Sequence, residues 1–118
     1  MPLGRITLYV RDVEATISFY EKHFGFKPLR LDGDRIVELL AQDGGANLMI
    51  HAAGKAQKMG QSLMKLGFDV EDVEAFRAKC AGEGLEFGPL HQADGYVFAN
   101  AKDPSGNSIA ISSRAFRR

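Results

Sequence analysis

Residues 5 to 10 alternate, with Ile6, Leu8 and Val10 on one side and Arg5, Thr7 and Tyr9 on the other. This is the period of a strand buried on one face. The period then changes. Asp12 stands where an N-cap belongs, and Glu14 follows in the first turn, where a negative charge suits the positive end of a helix dipole. Val13, Ile17, Tyr20 and Phe24 recur at helical spacing until Gly25 closes the run. A helix is therefore predicted over about residues 13 to 24, with further strands at 30–31, 35–41 and 47–51. Asp32-Gly33-Asp34 and Asp43-Gly44-Gly45 separate these strands as hairpin-type turns.

The same order then returns. Val10-Arg-Asp-Val-Glu-Ala15 reappears as Val70-Glu-Asp-Val-Glu-Ala75, five of six positions identical at an offset of 60. At an offset of 61, Pro28-Leu29 is answered by Pro89-Leu90, and Gly45-Ala-Asn-Leu-Met-Ile50 by Gly106-Asn-Ser-Ile-Ala-Ile111. The second half accordingly reads as a strand at 65–70, a helix at about 73–81 and strands near 86–90, 96–101 and 108–112. Asp72 caps its helix, Val73, Phe76 and Cys80 face inward, and Gly82 and Gly84 end it. Asp103-Pro-Ser-Gly-Asn107 is a strong turn signal between the last two strands. Two copies of so long a unit do not make a solenoid, which needs several shorter repeats to bury one another. The stretch at 53–60, rich in Gly, Ala, Lys and Gln, reads as a mobile linker.

Composition removes several classes of function. Fifteen basic residues balance fifteen acidic ones, so no global field draws nucleic acid or an anionic membrane. The single cysteine, Cys80, cannot close an intrachain disulfide, and its apolar helix position marks a buried reduced thiol. The first strand begins almost at the N-terminus, without a basic region, a sustained apolar segment or a cleavage site. A cytoplasmic protein without a membrane span is expected. No Gly-rich phosphate loop, Gly-x-Ser-x-Gly elbow or Cys-x-x-Cys pair occurs.

The tandem units, the Val-x-Asp-Val strand ends, Ser18-Phe-Tyr-Glu-Lys-His-Phe-Gly-Phe26 and Asp103-Pro-Ser-Gly-Asn107 together resemble the vicinal oxygen chelate superfamily. This is the glyoxalase, bleomycin-resistance and extradiol-dioxygenase group, and the likeness covers nearly the whole chain. It implies an α+β fold, a single domain of two tandem βαβββ modules, about residues 1–52 and 61–115, forming a cup-shaped mixed sheet. It also implies a homodimer, in which each cleft takes one half from each subunit.

Metal-dependent members hold a divalent ion with His, Gln or Glu from the first and last strands of each unit. The matching positions here are Arg5 and Met49 in one half and Lys65 and Ala110 in the other. A guanidinium, a thioether, an ammonium and a methyl make no site for a hard or borderline cation. Neither a metal nor any other cofactor is expected. His51 shares a strand face with Met49, but one imidazole is not a site. Glu38 falls on the third strand, off the matching position, and His23 and His91 read as structural and surface residues.

The face away from the helices carries Arg5, Thr7, Tyr9, Met49, His51, Lys65 and Ala110, with Tyr96 beside it. These are the candidate ligand-binding residues. Their mixture of small, polar and aromatic groups suits a cleft that orients a molecule by a few polar contacts, and equally an ordinary solvated sheet surface. Arg5 and Lys65 occupy equivalent positions, so an anion is expected unless Asp69 or Glu38 neutralises them. The resemblance is nearest in character to metal-free bleomycin-resistance-like members, which implies a small-molecule binder that sequesters an antibiotic or another anionic or aromatic ligand. The alternative is a glyoxalase-like lyase, isomerase or dioxygenase with non-standard metal ligands, and a third reading is an interaction module. Nucleic acid and membrane are not expected partners.

Overall fold

A computed structural model describes residues 1–117. By their contacts these residues fall into two compact units, Met1–Met59 and one beginning at Gly60. The first unit runs β1 (Arg5–Val10), α1 (Val13–Phe24), β2 (Lys27–Leu29), β3 (Val37–Leu40) and β4 (Asn47–Ala52). The second repeats the order with β5 (Lys65–Asp69), α2 (Val73–Gly82), β6 (His91–Gln92), β7 (Val97–Lys102) and β8 (Ser108–Ser112), then a short 3-10 turn at Arg114–Phe116. No described helix is long and apolar enough to cross a membrane.

Each unit holds one four-stranded mixed sheet, ordered β1-β4-β3-β2 in the first and β5-β8-β7-β6 in the second. β1 runs parallel to β4, with Arg5 opposite Asn47, Thr7 opposite Met49 and Tyr9 opposite His51. β5 runs parallel to β8 in the matching register, with Lys65 opposite Ser108, Gly67 opposite Ala110 and Asp69 opposite Ser112. The internal echo of the sequence is thus an echo of pairing as well. The remaining strands of each sheet pair antiparallel.

Both helices start as their local chemistry dictates. The Asp12 carboxylate accepts from the Ala15 amide at 3.0 Å and that of Asp72 from the Ala75 amide at 3.0 Å, each satisfying a donor that a helix N-terminus leaves orphaned. Gly25 ends α1 with φ 73°, a left-handed conformation that costs a glycine little. α1 packs on its own sheet, and Ile17 and Tyr20 are buried with Leu8, Val10, Leu39, Leu48 and Ile50. α2 lies against β7, with Val73 and Cys80 buried in the unit that also buries Ala99, Ile109 and Ile111. Each aliphatic side chain removed from water in this way contributes about 1.5–3 kcal/mol. Thr16 is also fully buried, and its hydroxyl donates to the Asp12 carbonyl at 2.8 Å, so no polar group is left unsatisfied there.

The short outer strands lie away from the positions their sequence suggests. β2 occupies Lys27–Leu29 rather than 30–31, and β6 occupies His91–Gln92 rather than 86–90. In both cases the partner strand decides. Pro28 sits on the outermost strand, where a missing N–H costs no ladder bond. Arg30 instead makes a two-pronged pair with Glu14, at 2.9 and 3.1 Å. Residues 85–88 bridge helix and sheet instead: the Leu85 amide donates to the Cys80 carbonyl at 2.8 Å and Arg77 Nε to the Gly88 carbonyl at 2.8 Å, while the Gly88 amide makes a single bond to the Asn100 carbonyl of β7 at 2.8 Å.

The stretch after β4 makes hydrogen bonds of its own and to the end of β1. Arg11 donates to the carbonyls of Gly54 at 3.3 Å and Gln57 at 2.7 Å, and the Gln57 side chain accepts from the Gly54 amide.

Candidate functional site

In the first unit, alternation along β1 and β4 places Arg5, Thr7, Tyr9, Met49 and His51 on the face away from α1. The register of β3 adds Glu38, opposite Met49. The Tyr9 and His51 rings lie 5.3 Å apart and are tilted by 48°. His51 Nδ1 lies 2.8 Å from the Ala52 carbonyl, so in the neutral ring the proton sits on Nδ1 and Nε2 is the acceptor. Arg5 is not a free cation. Its Nε donates to Glu38 Oε2 at 3.2 Å, and Asn47 Nδ2 donates to the same oxygen at 2.9 Å.

Glu38 is therefore a member of this face and, of the two carboxylates the sequence offered as partners, the one that neutralises Arg5. Its side chain is 19% exposed and Arg5's is 64%, so the carboxylate is the sheltered partner. Asn47 completes the arrangement by accepting from the Ala41 amide at 2.8 Å. Three polar side chains thus lock one another, and sequence signals for the group were limited to the presence of a cation and a carboxylate.

In the second unit the equivalent face carries Lys65, Gly67 and Asp69 from β5 and Ser108, Ala110 and Ser112 from β8. β7 adds Phe98, Asn100 and Lys102, opposite Ser112, Ala110 and Ser108 respectively. Lys65 Nζ donates to Asn100 Oδ1 at 2.8 Å and lies 6.0 Å from the centre of the Phe98 ring. Phe98 stacks on His91 at 5.0 Å and 28°. Tyr96 lies 6.2 Å from Phe98, but its hydroxyl accepts from Arg114 Nη1 at 3.1 Å, so it belongs to a small cluster with the chain's C-terminal turn. Ala110 lies on this face yet is only 6% exposed. It offers a floor rather than a contact group.

The turn that carries β7 into β8 is built around one buried carboxylate. Asp103 Oδ1 accepts from the amides of Ser105 and Asn107 at 2.9 Å each, and Oδ2 accepts from Asn107 Nδ2 at 2.9 Å. Gly106 in that turn has φ +83° and packs against the backbone of Gly60.

The donor set does not fit the divalent metal centre that the resemblance implies for metal-dependent members. Glu38 is already engaged by Arg5 and Asn47, His51 offers a single nitrogen, and Arg5, Lys65, Met49 and Ala110 offer no oxygen or imidazole ligand. Among the described residues no three His, Cys, Asp or Glu side chains cluster to hold an ion.

A model of the glyoxalase/bleomycin resistance protein/dioxygenase superfamily matches residues 3–111. The chain belongs to that superfamily. No curated protein matches it significantly. Among solved structures of the superfamily's fold, it is similar to TnmS3, an antibiotic binding protein from Streptomyces sp. CB03234, at 20% identity and TM-score 0.78, covering 94% of this chain and 93% of that one. A superfamily member from Sphaerobacter thermophilus superposes at TM-score 0.76 with 17% identity, covering 95% and 96%. A lactoylglutathione lyase from Agrobacterium tumefaciens does so at TM-score 0.71 with 17% identity, covering 93% and 91%. One fold therefore serves a binder and a lyase, and the side chains must decide between them.

Proposed function

We propose that this member of the superfamily binds and sequesters a small aromatic or anionic molecule, such as an antibiotic, without a metal ion and without transforming it. The observation that carries the reading is the donor set: the positions that would hold a metal carry Arg5, Met49, Lys65 and Ala110, and the nearby Glu38 is spent on Arg5. The antibiotic-binding role of the similar TnmS3 supports the same direction. The ligand-facing residues in this reading are Arg5, Thr7, Tyr9, Met49 and His51 in the first unit and Lys65, Tyr96 and Ala110 in the second. The protein acts as a cytoplasmic homodimer.

Elemental analysis of protein purified without an affinity tag tests the metal part, with no stoichiometric Zn, Ni, Mn or Fe expected. About one equivalent per chain, lost on changing His51 or Glu38 to Ala, would restore the lyase or dioxygenase alternative. A thermal-shift screen of antibiotics and aromatic acids tests the ligand part, because a ligand at about a hundred times its Kd stabilises the fold by about 2.7 kcal/mol. A screen without a single stabilising compound counts against it.

A further inference from the structure

The two units place a cation at the same point of the same sheet and answer it differently. Register puts Lys65 where the first unit has Arg5, and Asn100, opposite Ala110, where the first unit has Glu38, opposite Met49. The contact is kept, at 3.2 Å from Arg5 to Glu38 and 2.8 Å from Lys65 to Asn100. The charge is not. Two residues beyond Asn100 the strand carries Lys102, where Leu40 stands two beyond Glu38. Lys65, Ser108 and Lys102 lie in one row across three strands, and Lys102 Nζ donates to Ser108 Oγ at 2.7 Å. The first unit thus matches one cation with one carboxylate, while the second sets two ammonium groups beside a serine and an amide. Among the described residues neither lysine has an ion-pair partner.

Next to this row the sheet is bare. Gly67 and Ala110 face one another, and a Cβ built on Gly67 would meet nothing within 4 Å. Thr7 and Met49 fill the equivalent place in the first unit. On β7 the residue beside Ala110 is Asn100, and Phe98, half-buried and backed by His91, stands in the next row, opposite Ser112 and diagonal to Ala110.

We infer that the second unit holds the anion site, in which Lys65 and Lys102 take the carboxylate of a flat aromatic acid whose ring lies over Gly67 and Ala110 beside Phe98, and that Asn100 in place of a glutamate keeps this site open. The inference rests on the ligand-binding reading above and names its ligand class. Each ammonium has three donors and spends one on Asn100 or Ser108, so both retain donors for a carboxylate.

Calorimetric titration with naphthoate and with its uncharged isostere naphthamide tests the proposal. The parent protein should prefer naphthoate by about tenfold or more, the value of one charge-assisted hydrogen bond. Asn100→Asp, which supplies Lys65 with an internal counter-ion, should abolish the preference. Lys65→Met and Lys102→Met, both at exposed positions, should do the same if the aspartate variant fails to fold. Amide NMR shifts on adding naphthoate should centre on Gly67, Ser108 and Ala110. Equal affinity for both probes, or unchanged preference in all three variants, overturns the anion site while leaving the ligand-binding reading standing. Binding of neither probe also overturns the anion site, and the thermal-shift screen then decides the ligand-binding reading separately.

Discussion

Replacing Asp103 by Ala should destabilise the protein severely without touching any apolar contact of the core. Asp103 is 5% exposed, and the hydrogen bonds its carboxylate accepts include three of 2.9 Å, two of them from backbone amides of its own turn. A methyl leaves all three donors without their acceptor in a sheltered place. At about 1.5 kcal/mol each, the low end for a charged acceptor, the loss is roughly 4.5 kcal/mol, a large share of the roughly 5–15 kcal/mol that holds a domain together. With a urea slope of about 2 kcal/mol/M, the midpoint should fall by roughly 2 M. Asp103→Asn keeps one acceptor oxygen but turns an amide toward Asn107, so about half the loss is expected. Urea titration followed by circular dichroism measures both. A loss under about 1 kcal/mol for the alanine variant would mean that the turn is held by its backbone alone, and the account of this motif would be wrong.

Gly106→Ala forces a Cβ onto a backbone with φ +83° and to 3.3 Å from Gly60 Cα, which should cost about 1–3 kcal/mol. An unchanged melting temperature would contradict it. Cys80 is 2% exposed, and burial pushes its thiol above the ordinary range. The thiol form is therefore favoured in the folded state, stability should fall as pH rises past the unfolded cysteine value of about 8.5, and Ellman's reagent should label Cys80 only on unfolding. Rapid stoichiometric labelling of native protein at neutral pH refutes this. Light scattering at micromolar concentration should give the mass of the proposed dimer, and a monomer alone would count against sites shared between subunits.

What could be seen in the sequence depended on how far each signal reaches along the chain. The helix caps at Asp12 and Asp72 and the alternation in Arg5–Val10 involve neighbours a few residues apart, and all three appear where they were expected. β2 and β6 are placed by strands that lie several residues away, so their own residues mark them poorly. The duplicated register followed from the offsets of 60 and 61, which identified Arg5 with Lys65 before any pairing was known. Glu38 was different. Its strand was recognised, but its place beside Arg5 depends on how β3 pairs with β4, and no local pattern encodes that. Asn100 and Lys102 carried no signal for the same reason, because a neutral amide and a surface lysine gain meaning only against the residues that stand at their places in the other unit.

The clasp that Arg11 forms with Gly54 and Gln57 decides where this polypeptide can be lengthened. It already closes residues 54–57 against the end of β1, and the Gln57 amide donates back to the Gly54 carbonyl, so an insertion inside that span would break these hydrogen bonds and release the loop. Beyond the clasp, around Ser62 and Leu63, the side chains are exposed and no strand has begun. Loop-closure entropy rises only with the logarithm of length, so a doubled connection there costs about 0.6 kcal/mol. Extra sequence, whether from evolution or from a fused reporter, belongs at that point, with the clasp left intact.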